Sequence, residues 1–202
     1  MIDKDGIIRY DHIGEGGYEE TEKKIQELLK EAGHDVSRMN ITEEKKVLGL
    51  ASTPEIYLGY EYALPRGQNL GNDKGFQKDS ITEYVLPEVR KDHVVYAVGK
   101  WRSTPEALES AGTTSLLLKY TAASVNVVAD ATGNSLAIEI KRNGNYLQKA
   151  YAGSDVEFNG EKSFVRIDKP QLYNLVNGAY GSYDLEVIAP KGIVVSSFTF
   201  GS

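Results

Sequence analysis

The chain has 202 residues, enough for one large domain or for one medium domain with an appendage. Its 29 acidic residues against 23 lysines and arginines give a net charge of −6, and no basic stripe is present to neutralise phosphates, which excludes a nucleic-acid binder. It has no cysteine, which excludes disulfides, thiolate metal sites and any thiol redox chemistry carried by this chain alone.

The sequence opens with a strand, turn, strand pattern. Ile2 precedes the tight turn Asp5-Gly6, and Ile7, Ile8, Tyr10 and Ile13 follow it. The spacing of Ile25, Leu28, Leu29 and Ala32 predicts a helix from Glu19 to Ala32, with Glu19, Glu20 and Glu22 near its N-terminus and Gly33 as its C-terminal cap. This ββα piece, residues 1–34, has an apolar helix face and too few strands to bury it. Residues 35–52 are polar and read as a linker, with a short helix over Thr42 to Leu48.

From Thr53 onward the period changes to two. Leu116, Leu118 and Tyr120 alternate with Ser115, Leu117 and Lys119; Ile138 and Ile140 alternate with Glu139 and Lys141; Leu185 and Val187 alternate with Asp184 and Glu186. Val194, Phe198 and Phe200 are expected on one face of a last strand. Asn143-Gly144, Asn159-Gly160 and Asn177-Gly178 read as hairpin turns. Eight to ten short strands with turns between them predict a mainly β domain, a jelly-roll-type β-sandwich over residues 53–202. Thirteen tyrosines against five phenylalanines suit such a half-buried sheet surface. No apolar run approaches the ~20 residues of a membrane helix, so no membrane insertion is expected of this chain.

Several stretches resemble thiol-disulfide proteins of the DipZ type, in which a thioredoxin-like domain precedes a sandwich similar to a carbohydrate-binding module. The opening from Met1 to Tyr18 resembles the last hairpin of the thioredoxin-like domain, and the helix from Glu19 to Ala32 resembles its final helix. Thr53-Pro-Glu-Ile-Tyr-Leu-Gly-Tyr60, Tyr96-Ala-Val-Gly-Lys-Trp101, Gln171-Leu-Tyr-Asn-Leu-Val176 and Ser197-Phe-Thr-Phe-Gly201 carry the likeness through the second part. The resemblance implies that the redox cysteines and the cis-proline lie upstream of Met1, that residues 1–34 are the tail of the thioredoxin-like fold, and that the location is extracytoplasmic. It implies a non-catalytic binding module with a carbohydrate or cell-envelope ligand.

The residues themselves mark no catalytic centre. Asp3-Lys4-Asp5-Gly6 lacks the later ligands of a calcium loop, and Gly14-Glu15-Gly16-Gly17 lacks the lysine of a phosphate loop and is crowded by acids. His12, His34 and His93 have no metal-ligand spacing, and no serine sits in a nucleophile elbow. No cofactor or metal is expected. The candidate ligand-binding residues are Trp101, Arg102, Asn143, Asn145, Tyr146 and Tyr151: aromatic rings stack on the C–H face of a sugar while amides and guanidinium groups bind hydroxyls. The plainer reading of Trp101 is a plug at one end of the core. The rival to a binding module is a structural one, which positions its thioredoxin-like partner or forms a homodimer through residues 1–34 and binds no small ligand.

Overall fold

The structure is a computed structural model that describes residues 1–12, 17–36 and 52–201. The chain divides into two compact units, residues 1–49 and 50–202. The expected strand residue Ile13, the loop 14–16 and the short helix over Thr42 to Leu48 lie outside the described residues.

In the first unit a single bridge joins Ile2 to Ile8. The Asp3 carboxylate accepts the backbone N–H groups of Asp5 and Ile7 at 3.0 and 2.9 Å, so this side chain shapes the turn from within, and Gly6 takes a positive φ of 82°. Helix α1 runs Tyr18–Glu31. It ends in a Schellman motif: His34 N–H donates to the Leu29 carbonyl, Gly33 N–H to that of Lys30, and Gly33 holds φ 89°. Arg9 clasps the Glu31 carboxylate with two bonds of 2.9 and 3.1 Å and also reaches Asp3, which ties turn to helix. No residue of α1 is buried.

The second unit is mainly β. Its strands are β1 (Ile56–Tyr57), β2 (Ile81–Tyr84), β3 (Val95–Ser103), β4 (Leu108–Ser110), β5 (Thr114–Ala131), β6 (Leu136–Arg142), β7 (Asn145–Tyr146), β8 (Val156–Asn159), β9 (Lys162–Ile167), β10 (Gln171–Ala189) and β11 (Ile193–Gly201); a short helix, α2, spans Tyr60–Ala63. The hydrogen-bonded order is β1-β11-β4-β3-β5-β10-β6-β9-β8, with β2 on β3 and β7 on β6, and all strand pairs are antiparallel.

β5 is the hinge of this arrangement. Its first half pairs with β3, its second half with β11, and its other edge with β10 throughout. The sheet therefore folds back over a shared core as a jelly-roll-type sandwich. The predicted alternation holds along β5, where Leu116, Leu118, Tyr120, Val125 and Val127 are all buried. Full burial of each large aliphatic side chain contributes about 1.5–3 kcal/mol.

Two local readings are corrected. Asn177-Gly178 makes no hairpin; it lies inside β10, where three residues between Asn177 and Gly181 face the single residue between Ser124 and Ala122. The glycine relaxes a bulge, not a turn. In β11 the extra residue at Ser196 shifts the period, so Ile193, Val195 and Phe198 are buried while Val194 faces outward. Asn143-Gly144 does form a turn, with φ of 52° and 78°, and Gly160 with Glu161 closes the β8–β9 hairpin next to Asn159.

Candidate functional site

Strand β6 buries Ile138 and Ile140 and sends Glu139 and Lys141 outward. The Asn143-Gly144 turn returns the chain as β7, pairing Lys141 with Tyr146 and Arg142 with Asn145. The tip is pinned twice: Asn143 N–H donates to the Asp184 carbonyl at 2.8 Å, and Asp184 N–H donates to the Asn143 side chain at 2.9 Å. Behind the hairpin, the buried Ser163 hydroxyl accepts Leu147 N–H at 2.9 Å and donates to the Ile140 carbonyl at 2.6 Å. The resulting groove holds about 550 Å³ and is lined by Lys141, Asn145, Tyr146, Gln148, Lys149 and Phe158, among others.

Its electrostatics centre on one carboxylate. The Tyr146 hydroxyl donates to Glu139, and the Lys162 ammonium lies 2.7 Å from the same carboxylate. Lys162, and then Tyr146, hold the Glu139 carboxyl below its ordinary value, while the Glu139 charge pushes the Tyr146 phenol and the Lys162 ammonium up. The ammonium groups of Lys141 and Lys162 lie 5.2 and 5.8 Å from the Tyr146 ring centre. A fixed ring, exposed amides and ammonium groups thus lie close together on a rigid hairpin, and groups of these kinds can stack on and hydrogen-bond polyhydroxylated or polar ligands.

The structure brings Asn143, Asn145 and Tyr146 together on this one hairpin. Tyr151 follows in a 3-10 turn, Lys149–Tyr151, but the Arg142 guanidinium covers one face of its ring. Trp101 is corrected as a ligand platform. Period two along β3 sets it on the same face as Val95, Ala97 and Ser103; it has no exposed surface, and its indole N–H donates to the Val98 carbonyl at 3.0 Å. Arg102 is exposed, but β5 and β10 separate β3 from β6, so it does not join the groove.

Sequence reasoning passed over Glu139, Lys141 and Lys162. Their signal was present in the outward positions of β6 and at the start of β9, but nothing local showed that these strands are neighbours. It also passed over Tyr57 and Tyr62, whose rings stack at 6.2 Å. Among the described residues no cluster of histidine and acidic side chains could hold a metal ion, and no helix is long and apolar enough to cross a membrane.

Comparison with known proteins gives several weak likenesses and one family. Protein DipZ of Mycobacterium bovis is 26% identical over 206 residues, covering 100% of this chain and 26% of that protein, so the chain spans about a quarter of that relative's length. An arginine repressor of Halothermothrix orenii is 29% identical over 91 residues, 45% of this chain and 60% of the repressor. Among solved structures, a family two carbohydrate esterase from Clostridium thermocellum covers 54% of this chain and 31% of its own, at 18% identity and a TM-score of 0.42, too slight a likeness to argue from. The thioredoxin-like C-terminal domain family matches residues 53–201, which takes in every strand of the sandwich. The chain belongs to the thioredoxin-like C-terminal domain family.

Proposed function

We propose that the sandwich is a non-catalytic accessory module of a thioredoxin-like thiol-disulfide oxidoreductase working outside the cytoplasm, and that the groove beside the β6–β7 hairpin recognises a glycan or another cell-envelope component. The family match and the similarity to DipZ support the accessory role. The absence of cysteine from this sequence leaves the thiol chemistry to another part of such a protein. The observation that carries the binding reading is the groove itself, where the Tyr146 ring stands beside Asn145, Gln148 and Lys149 on a turn locked to β10.

Calorimetric titration of the 202-residue chain against an array-selected glycan tests this reading. Binding that falls about tenfold in Tyr146→Ala supports it, and no binding to any envelope glycan removes it. An insulin-reduction assay on the same chain is expected to be flat.

A second reading follows from the first unit. Ile2, Ile7 and Ile8 are 66%, 58% and 72% exposed, and a groove of about 390 Å³ runs between Ile2 and the α1 residues Ile25, Leu28 and Leu29. On this reading the chain is a structural module that pairs through residues 1–34 with a second copy. Light scattering discriminates: a dimer that becomes a monomer when residues 1–34 are deleted supports pairing, and a strict monomer at high concentration removes it.

A further inference from the structure

At the end of the strand order remote from β8, the sheet finishes in the two-residue strand β1, paired with Phe198 and Ser197 of β11. A sheet edge normally offers backbone groups to another strand. Here Gln68 occupies them: its side-chain oxygen accepts Tyr57 N–H at 2.9 Å, and its amide N–H donates to the Glu55 carbonyl at 2.7 Å. An extended peptide would have to displace Gln68 from the Tyr57 N–H and the Glu55 carbonyl, which disfavours strand addition at this edge.

Beside this capped edge lies a cleft of about 290 Å³ lined by Tyr57, Tyr62, Glu106, Ser196 and Ser197. Three features build it. The Tyr57 and Tyr62 rings stack with centroids 6.2 Å apart and planes 26° apart, and Arg66 locks them, its guanidinium 4.6 Å over Tyr57 and bonded to the Tyr62 carbonyl at 2.9 Å. Gly59 lets the start of α2 press against the β3–β4 connection; a Cβ there would lie 2.2 Å from the carbonyl carbon of Glu106. The bulge in β11 supplies Ser196.

Two of the groups facing this space, Tyr62 and Glu106, are open to a ligand. Tyr62 is 46% exposed, and among the described residues the exposed Glu106 carboxylate makes no hydrogen bond or ion pair. The two carboxylates of Glu55 and Glu106 outnumber the one guanidinium of Arg66, which disfavours a phosphate or a uronic acid. A flat aromatic face beside a carboxylate and a hydroxyl, with no net positive charge, suits the C–H face and hydroxyls of an uncharged sugar ring. We propose that this cleft binds a neutral pyranose unit of a glycan, its ring on Tyr62 and its hydroxyls on Glu106 and Ser196. The site is separate from the β6–β7 groove, and neither reading requires the other.

The test is an NMR titration of the full 202-residue chain with cellotetraose, maltotetraose and mannotetraose up to about 10 mM, in the range of weak single-site binding. At least one sugar is expected to move the backbone signals of Tyr57, Tyr62 and Glu106. Tyr62→Ala should weaken that binding about tenfold and Glu106→Gln several-fold, read at the signals of Tyr57 and Ser196. Cleft signals that stay fixed with all three sugars overturn the proposal, as does full binding by a folded Tyr62→Ala variant. Binding lost in Tyr146→Ala but kept in Tyr62→Ala overturns it while supporting the β6–β7 groove. Cleft signals that respond instead to an extended or proline-rich peptide also overturn it.

Discussion

The guanidinium of Arg142 lies 4.1 Å from the centre of the Tyr151 ring. It lies 4.4 Å from Tyr183 as well, so the cation is held between two aromatic rings while its Nη1 is buried with no hydrogen-bond partner among the described residues. Planarity matters here, because a guanidinium stacks where an ammonium does not. Arg142→Lys keeps the charge and is expected to lower stability by about 1–2 kcal/mol, seen as a lower urea midpoint with unchanged slope. An unchanged midpoint would show that the stack contributes nothing.

Tyr120 stands in the same cluster, 5.8 Å from Tyr183, with its hydroxyl buried beside the Arg142 guanidinium. Burial pushes its phenol up to about 12 from an ordinary 10.0. A raised acid means that the folded state holds its proton longer than the unfolded chain does. Its contribution is therefore fully present below pH 10 and is lost as pH rises toward 12. Tyr120→Phe is expected to change stability by no more than about 1 kcal/mol at pH 7, since relief of the buried hydroxyl is set against its lost attraction to Arg142, and to flatten the decline above pH 10. Thermal melts from pH 8 upward read both effects.

Gly59 and Gly112 form a matched pair for testing close approach. A Cβ at Gly59 would meet the Glu106 backbone at 2.2 Å, whereas one at Gly112 meets nothing within 4 Å. Gly59→Ala should destabilise by about 1–3 kcal/mol through overpacking against backbone that has no room to yield. Gly112→Ala should change stability by about 0.5 kcal/mol or less. Equal behaviour of the two in chemical denaturation would contradict the packing of α2 on the β3–β4 connection.

The carboxylate of Glu139 offers a direct reading of the candidate groove. Its carboxyl is held below the ordinary 4.5, first by Lys162 and then by Tyr146, so the attraction is present above pH 4.5 and is lost as pH falls through the depressed value. In Lys162→Gln the carbon-detected midpoint of Glu139 should move up toward 4.5. A midpoint that does not move would mean that the ammonium is not held at the carboxylate in solution.

Much of this architecture was legible as period-two polarity. Along β5 and β6 the buried residues Leu116, Leu118, Ile138 and Ile140 fall where alternation puts them, because a strand buried on one face has only one register that satisfies it. Val194 escaped because the bulge at Ser196 adds one residue and inverts the phase, and Asn177-Gly178 escaped because the same dipeptide serves a bulge as well as a turn. That Asn143, Asn145 and Tyr146 lie together was readable since one hairpin carries all three. Lys162 and Glu139, 23 positions apart, become partners only through the β6–β9 pairing. The Tyr57–Tyr62 cleft was hidden for a like reason, since Glu106 reaches it only across the tight contact at Gly59. Trp101 illustrates the opposite limit. Its chemistry suits a sugar platform, but its phase along β3 assigns it to the interior.

The long strand β5 also bears on how the molecule is assembled in time. Its two halves face β3 and β11, and its far edge meets β10, with Thr114 opposite Ala189 and Ser124 opposite Gly201. The ladders of β5 with β10 and with β11 each close a loop of many tens of residues, and that entropy is spent before the contacts repay it. Such a topology belongs to the slow class of single-domain folders, with milliseconds to seconds as the expected scale. Until the last strand, β11, has left the ribosome, β5 has one margin only half clothed, and the nascent chain waits in a state with open strand borders.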